Sequence, residues 1–156
     1  MSAARIRPAT PADIDALLAL ENLFPGDRMG RPALRRFLRV PSARLWVAVQ
    51  GQQVVGDVLL LLRSGADYGR IYSVVVAPSA RGQGLGERLV ATAERATRDA
   101  GRSRLRLEVR QRNLPARRLY EKRGYVRVAK MVHYYEDGAS GLRLEKPLRR
   151  RRLSSP

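Results

Sequence analysis

The sequence predicts an α+β fold in which a mixed, mostly antiparallel central sheet of about seven strands is flanked by about four helices. Three observations carry this expectation. The segments follow one another as strand, two helices, three strands, helix, strand, helix and two strands. Leu45 to Gln50 and Gln53 to Leu62 turn about Gly51 as a β-hairpin, and the second arm is apolar nearly throughout, as a strand covered on both faces must be. Ile71 to Val76 then runs through a glycine-rich turn into a long amphipathic helix and back to an alternating strand, which makes a crossover unit.

The elements follow in order. Thr10 caps a helix that has Pro11 at its first position and Asp13 near its positive end. Ile14, Leu17, Leu18, Leu20 and Phe24 recur at helical spacing until Pro25-Gly26 stops them. A second short helix starts at Pro32, turns Leu34, Phe37 and Leu38 inward and ends before Pro41. After the hairpin, Arg63 to Arg70 reads as a polar loop holding Gly65 and Gly69. Leu85, Leu89, Ala93, Ala96 and Ala100 place an apolar stripe on the long helix, with Glu94 and Arg98 expected to pair on its solvent side and Gly101 to cap it. Leu105, Leu107 and Val109 alternate as a strand, so Arg106, Glu108 and Arg110 share its other face. A helix over Pro115 to Arg123 ends at Gly124, and Tyr125 to Tyr135 and Leu142 to Leu148 are the last two strands.

Length and composition bound what this chain does. Its 156 residues suffice for one hydrophobic core, expected as a single domain over 1–148 followed by a basic, disordered tail over 149–156. There are no cysteines, which excludes disulfides, thiolate metal sites and a cysteine nucleophile. The single histidine, His133, rules out a histidine zinc cluster and reads as a surface residue, so no metal is expected. Met1 to Thr10 lacks a signal-peptide pattern, and the longest apolar run, Val58 to Leu62, is far too short to span a bilayer. A reduced, cytoplasmic chain with no membrane contact is expected. Thirty-one Lys and Arg against 14 Asp and Glu give a net charge of +17, which favours an anionic partner, a ribosome or nucleic acid among them.

The densest chemical signal is Val74-Val75-Val76-Ala77-Pro78-Ser79-Ala80-Arg81-Gly82-Gln83-Gly84-Leu85-Gly86-Glu87. Glycines bring backbone N–H groups close to an anion, and the helix start adds free donors and a partial positive charge. A P-loop needs Gly-Lys-Ser/Thr, and Gly86 is followed by Glu87. A dinucleotide fingerprint needs a third glycine where Glu87 or Leu89 stands. Beside a glycine-rich loop that only turns the chain, what remains is an arginine with closely spaced glycines after a strand and a proline turn. This resembles the pyrophosphate loop of the GNAT acyl-CoA N-acyltransferases. The resemblance continues through Leu107-Glu108-Val109-Arg110, Asn113, Leu119-Tyr120, Gly124-Tyr125 and Tyr134-Tyr135-Glu136-Asp137, which are similar to the RimI-type branch of protein N-terminal acetyltransferases.

The resemblance implies the GNAT fold, acetyl-CoA as co-substrate and transfer of its acetyl group to an amine, most readily a protein or peptide N-terminal α-amine. It implies that the backbone of Val74, Val75 and Val76 takes the pantetheine arm and that Arg81, Gly82, Gln83, Gly84, Leu85, Gly86 and Glu87 hold the pyrophosphate. Glu108 matches the general base, competing with a plain ion pair to Arg106 or Arg110. Tyr120 matches the acid that protonates the departing thiolate, competing with a core aromatic. Asn113 would bond the pantetheine amides, or simply cap its helix. Tyr72, Tyr134 and Tyr135 are candidates for the peptide side, and Glu21 and Asp27 for meeting the amine. Two alternatives stay open: a lysine or small-molecule acceptor, and a non-catalytic ribosome- or nucleic-acid-binding module with this fold.

Overall fold

A computed structural model describes residues 3–24 and 29–149. Strand β1 (Arg5–Pro8) passes through a short 3-10 turn, Pro11–Asp13, into α1 (Ile14–Glu21) and then α2 (Arg31–Arg39). Three strands follow, β2 (Ala43–Gln50), β3 (Gln53–Leu61) and β4 (Tyr68–Val76), and then α3 (Leu85–Asp99), β5 (Arg104–Arg110), α4 (Leu114–Lys122), β6 (Val126–Met131) and β7 (Gly141–Pro147). The strands form one seven-stranded sheet ordered β1-β2-β3-β4-β5-β7-β6. Every neighbouring pair is antiparallel except β4 and β5, which run parallel because α3 carries the chain back between them. This is the α+β order expected. None of the described helices is long and apolar enough to cross a membrane.

The start of α1 is held as its residues suggest. The Asp13 carboxylate reaches back to accept the Thr10 backbone N–H at 2.8 Å and pairs with Arg7 at 2.8 Å. The hydrogen bonds from Arg7 hold that carboxyl below the usual carboxylate range. Helices α1 and α2 cover one face of the sheet through Leu17, Leu34, Leu45, Val47 and Leu59. Helix α3 covers the other through Leu85, Leu89, Val90 and Ala93, with Val58, Leu60, Leu105 and Leu107 beneath them. In β3, Val58, Leu59 and Leu60 are each fully buried, as expected of a strand covered on both sides. Each such side chain contributes roughly 1.5–3 kcal/mol by leaving water.

Four local readings change. The inner stripe of α3 rotates onto Val90, Glu94 and Thr97, leaving Ala100 exposed. Glu94 is therefore buried and does not pair with Arg98 on the solvent side. It accepts hydrogen bonds from Arg123 at 2.7 Å, the Tyr125 hydroxyl at 2.9 Å and Lys146 at 3.2 Å. Strand β4 begins at Tyr68, because Tyr68–Ile71 finds parallel partners in Arg104–Leu107. Gly69 is thus a strand residue, and a Cβ there would lie 2.6 Å from Thr97 Oγ1, so the glycine lets α3 lie close on the sheet. Strand β6 stops at Met131, opposite Gly141, and the chain turns through His133 (φ 53°) and Gly138 (φ 84°). Tyr134 and Tyr135 lie in this turn instead of in a strand. The tail from Arg150 onward lies outside the described residues.

Candidate active site

The sheet opens where β4 and β5 part. Their pairing ends at Ile71 with Leu107; beyond it β4 follows β3 and β5 follows β7. A register shift makes Tyr72 the extra residue of β4, since Leu59 faces Ser73 while Leu60 faces Ile71. Ala77 N–H donates to Val55 O at 2.8 Å, in step with the β3–β4 ladder. By alternation Ser73 and Val75 bond towards β3, and the backbone groups of Val74 and Val76 face the opening. All three valines are half-buried.

The opening leads to the glycine turn. Gly82 (φ 81°) and Gly84 (φ 72°) take left-handed conformations, and a Cβ at either would meet nothing within 4 Å. Backbone twist requires these glycines, and the space above them is open. Gly84 is the N-cap of α3, whose ladder begins with Arg88 N–H to Gly84 O at 3.2 Å. The N–H groups of Leu85, Gly86 and Glu87 precede it, as free donors of a helix start do. Leu85 is buried and anchors the turn, and a Cβ at Gly86 would lie 3.6 Å from Leu119 and 3.9 Å from Val76. Gln83 accepts from Gln50 at 3.3 Å, Glu87 pairs loosely with Lys122 at 3.7 Å, and Arg81 lies 5.8 Å over the Phe24 ring. Asn113 caps α4, its Oδ1 accepting Ala116 N–H at 3.3 Å.

Glu108 stands on the face of β5 away from Leu107 and Val109, with its side chain only 6% exposed. Its partners are across the sheet, not along its own strand. Arg70 Nε donates to both oxygens at 3.0 and 3.3 Å, and Arg143 Nη2 lies 3.5 Å from Oε1. Arg106 turns instead to Glu145 at 2.6 Å and Arg110 to Asp137 at 2.8 Å. The reason is geometric: residues two apart on a strand are about 6.5 Å apart, whereas facing residues on neighbouring strands are closer. Arg143 faces Glu108 directly. Tyr120 packs with Leu107 and Val109 on the opposite face of β5, edge-on to Tyr125 at 5.6 Å. Burial pushes its phenol up to about 12.

Beside Glu108 runs a groove of about 600 Å³. The scattered candidates Glu21, Tyr72, Tyr134 and Tyr135 all line it, together with Phe37, Arg70 and Glu136. Tyr72 is half exposed at the bulge and packs against Phe37 at 5.9 Å. Tyr134 and Tyr135 meet edge to face at 5.0 Å, and the Tyr134 hydroxyl accepts from Arg70 at 3.4 Å. Glu21 Oε2 accepts Met29 N–H at 3.4 Å. Asp27 lies outside the described residues, and His133 is exposed. Two features escape the sequence reading. Arg70 and Arg143 join Glu108 through strand pairing alone. Asp57 is fully buried on β3, neither oxygen accepts a hydrogen bond, and desolvation followed by the charge of Glu21 raises it to about 8. Its signal was visible: a lone carboxylate inside the apolar run Val54 to Leu62.

Comparison with known proteins places this arrangement. The sequence profile described as the Acetyltransferase (GNAT) family matches residues 13–125. An N-alpha-acetyltransferase of Sulfurisphaera tokodaii is 27% identical, covering 92% of this chain and 93% of its own. An IAA acetyltransferase of Azospirillum brasilense is 34% identical, covering 83% of each chain. The crystal structure of a ribosomal-protein-alanine N-acetyltransferase from Escherichia coli superposes with a TM-score of 0.84 at 19% identity, over 98% of this chain and 99% of that one, a likeness of fold. With the split sheet, the glycine turn and a profile that spans most of the chain, the protein belongs to the GNAT family of acetyltransferases and is an acetyl-CoA-dependent N-acetyltransferase.

Proposed function

We propose that the acceptor is a protein or peptide N-terminal α-amine, as in the RimI-type branch. The observation that carries this reading is the groove beside Glu108, open at the bulge and walled by Tyr72, Tyr134 and Tyr135, which suits an extended chain end. The name of the Sulfurisphaera tokodaii relative, N-alpha-acetyltransferase, supports it. So does amine chemistry. An α-amine has a pKa of about 7.8 and a lysine side chain about 10.4, so a lysine acceptor costs roughly 3.5 kcal/mol more to deprotonate at neutral pH.

Acetyl-CoA supplies an acetyl group activated as a thioester, and the residues present fit it. The left-handed glycines with open space above them, and the free donors at the start of α3, suit its pyrophosphate. Arg81 and Gln83 flank that turn. Val74 and Val76 offer the backbone groups that face the opening to the pantetheine arm, Val75 braces them against β3, and Asn113, whose Oδ1 caps α4, bonds the same arm through its amide nitrogen. Glu108 takes the proton that the amine sheds, through Oε2, which carries only the longer contact to Arg70. Tyr120, protonated throughout the neutral range, gives its proton to the departing sulfur. Since the two stand on opposite faces of β5, the reacting carbonyl lies in the opening between β4 and β5, the place both faces share. Glu21 and the three tyrosines orient the acceptor.

Peptides bearing either a free α-amine or a free lysine, compared by mass spectrometry, test the reading. Faster modification of the terminus, with a small first residue such as alanine, is expected. Modification of the lysine alone, or of a polyamine and neither peptide, overturns it.

A further inference from the structure

The walls around Glu108 carry opposite charges on its two sides. The acceptor groove is lined by Glu21, Glu108 and Glu136 against Arg70. An adjoining pocket of about 250 Å³ shares Arg70, Glu108 and Tyr134 with the groove, but its other charged lining residues are Arg63, Arg106 and Arg143. An amine suits the first, and an anion suits the second.

The guanidiniums here outnumber their acceptors. Glu108 serves both Arg70 and Arg143, and Glu145 serves both Arg106 and Arg104. Arg63 is exposed at the rim and pairs with neither carboxylate. Four guanidiniums, those of Arg63, Arg70, Arg106 and Arg143, therefore line a pocket whose one carboxylate is Glu108. The Nε of Arg143 is buried with no hydrogen-bond acceptor, although a buried donor ordinarily has one. Arg106 is held rigidly, 4.0 Å above the Tyr68 ring, so its fork is already oriented. A preformed cluster of this kind suits a carboxylate or phosphonate, which accepts charge-assisted bonds from more than one guanidinium.

We propose that the acceptor carries an anionic group close to its reacting amine, and that the arginine-lined pocket beside Glu108 holds that group. For a peptide the group is an Asp or Glu side chain at the second position. Successive Cα atoms are about 3.8 Å apart, so with the α-amine at Glu108 the second side chain reaches the adjoining pocket. The peptide form rests on the α-amine reading; the anion pocket itself does not.

The test uses the full chain with acetyl-CoA and peptides that differ only at the second residue: Ala-Asp, Ala-Glu, Ala-Gln and Ala-Lys. Expected is a kcat/KM for the acidic pair about tenfold above Ala-Gln, expressed mainly in KM and shrinking as salt rises. Arg63→Gln and Arg106→Gln should each lower the acidic-to-neutral ratio, with circular dichroism and acetyl-CoA binding confirming a folded protein. All four termini acetylated at similar kcat/KM would overturn the anion pocket and leave the α-amine reading standing. No peptide acetylated, but a small amine bearing a carboxylate or phosphonate modified in preference to its neutral analogue, would overturn the α-amine reading and support the pocket. Preference for a neutral or cationic small amine would overturn both.

Discussion

Glu108 and Asp57 show how far the surroundings of a carboxylate decide its use. Glu108 is buried at the wall of a groove, with its oxygens satisfied by Arg70 and Arg143. Glu108→Gln is expected to lower kcat by roughly 10²–10⁴, the range for loss of a general base, with acetyl-CoA binding retained in calorimetry. Tyr120→Phe should also slow turnover while leaving the fold intact, since the ring supplies the packing against Tyr125. Asp57 is buried and unsatisfied. With its pKa raised to about 8, the folded protein keeps this proton where the unfolded chain releases it. The folded state thus binds more protons, and stability falls as pH rises from the unfolded carboxylate range towards 8. Asp57→Asn should gain on the parent protein over that window. Near pH 7.5 the difference should reach roughly 2–4 kcal/mol and shrink below pH 4. Thermal melts of both proteins across pH would show it, and parallel curves would refute it.

At the scale of elements, the start of α3 and its inner face do different jobs. The start depends on Gly84, whose left-handed φ of 72° strains a β-branched residue and whose open surroundings a side chain would fill. Gly84→Val is expected to abolish the rise in melting temperature that acetyl-CoA confers by binding the native state. A folded Gly84→Val protein with unaltered affinity would remove the turn from the binding site. The inner face depends on Glu94, which gathers α3, the end of α4 and β7 through Arg123, Tyr125 and Lys146. Burial raises the carboxyl, but the hydrogen bonds from Arg123, Tyr125 and Lys146 outweigh it and hold the pKa below its usual value. The stabilisation is therefore present above the unfolded carboxylate range and is lost as pH falls through the folded pKa. Glu94→Gln leaves the half-buried Arg123 and Lys146 without their counter-charge and should cost about 3 kcal/mol at neutral pH, less in acid, by denaturant titration. Because Tyr125 packs on Tyr120, the same change should also slow turnover.

Across the whole molecule, two helices cover one face of the sheet and α3 and α4 the other, while the parallel β4–β5 junction is the seam where pairing stops. The +17 charge acts on top of this frame. Binding of the polyanionic acetyl-CoA should slow as ionic strength rises, as steering by a net field requires. Deleting residues 149–156 should leave turnover of short peptides unchanged in a steady-state assay. A truncated protein that binds acetyl-CoA normally but fails on short peptides would show that the tail belongs to the acceptor side.

The sequence by itself determined what rests on local order: the α+β class, the hairpin about Gly51, the glycine turn opening α3, and the alternation that puts Glu108 opposite the core face of β5. Periodicity and turn chemistry act over a few residues, so they are written in the chain. Tertiary structure alone decided what rests on distance between strands and helices. It chose Arg70 and Arg143 as partners of Glu108, because strand order and register bring them together from β4 and β7. It rotated Glu94 inward, since Arg123, Tyr125 and Lys146 await it there. It brought Glu21, Tyr72, Tyr134 and Tyr135 from three distant segments to one groove. Charge pairing and burial depend on separation in space, and no spacing along one strand encodes the neighbour that folding supplies.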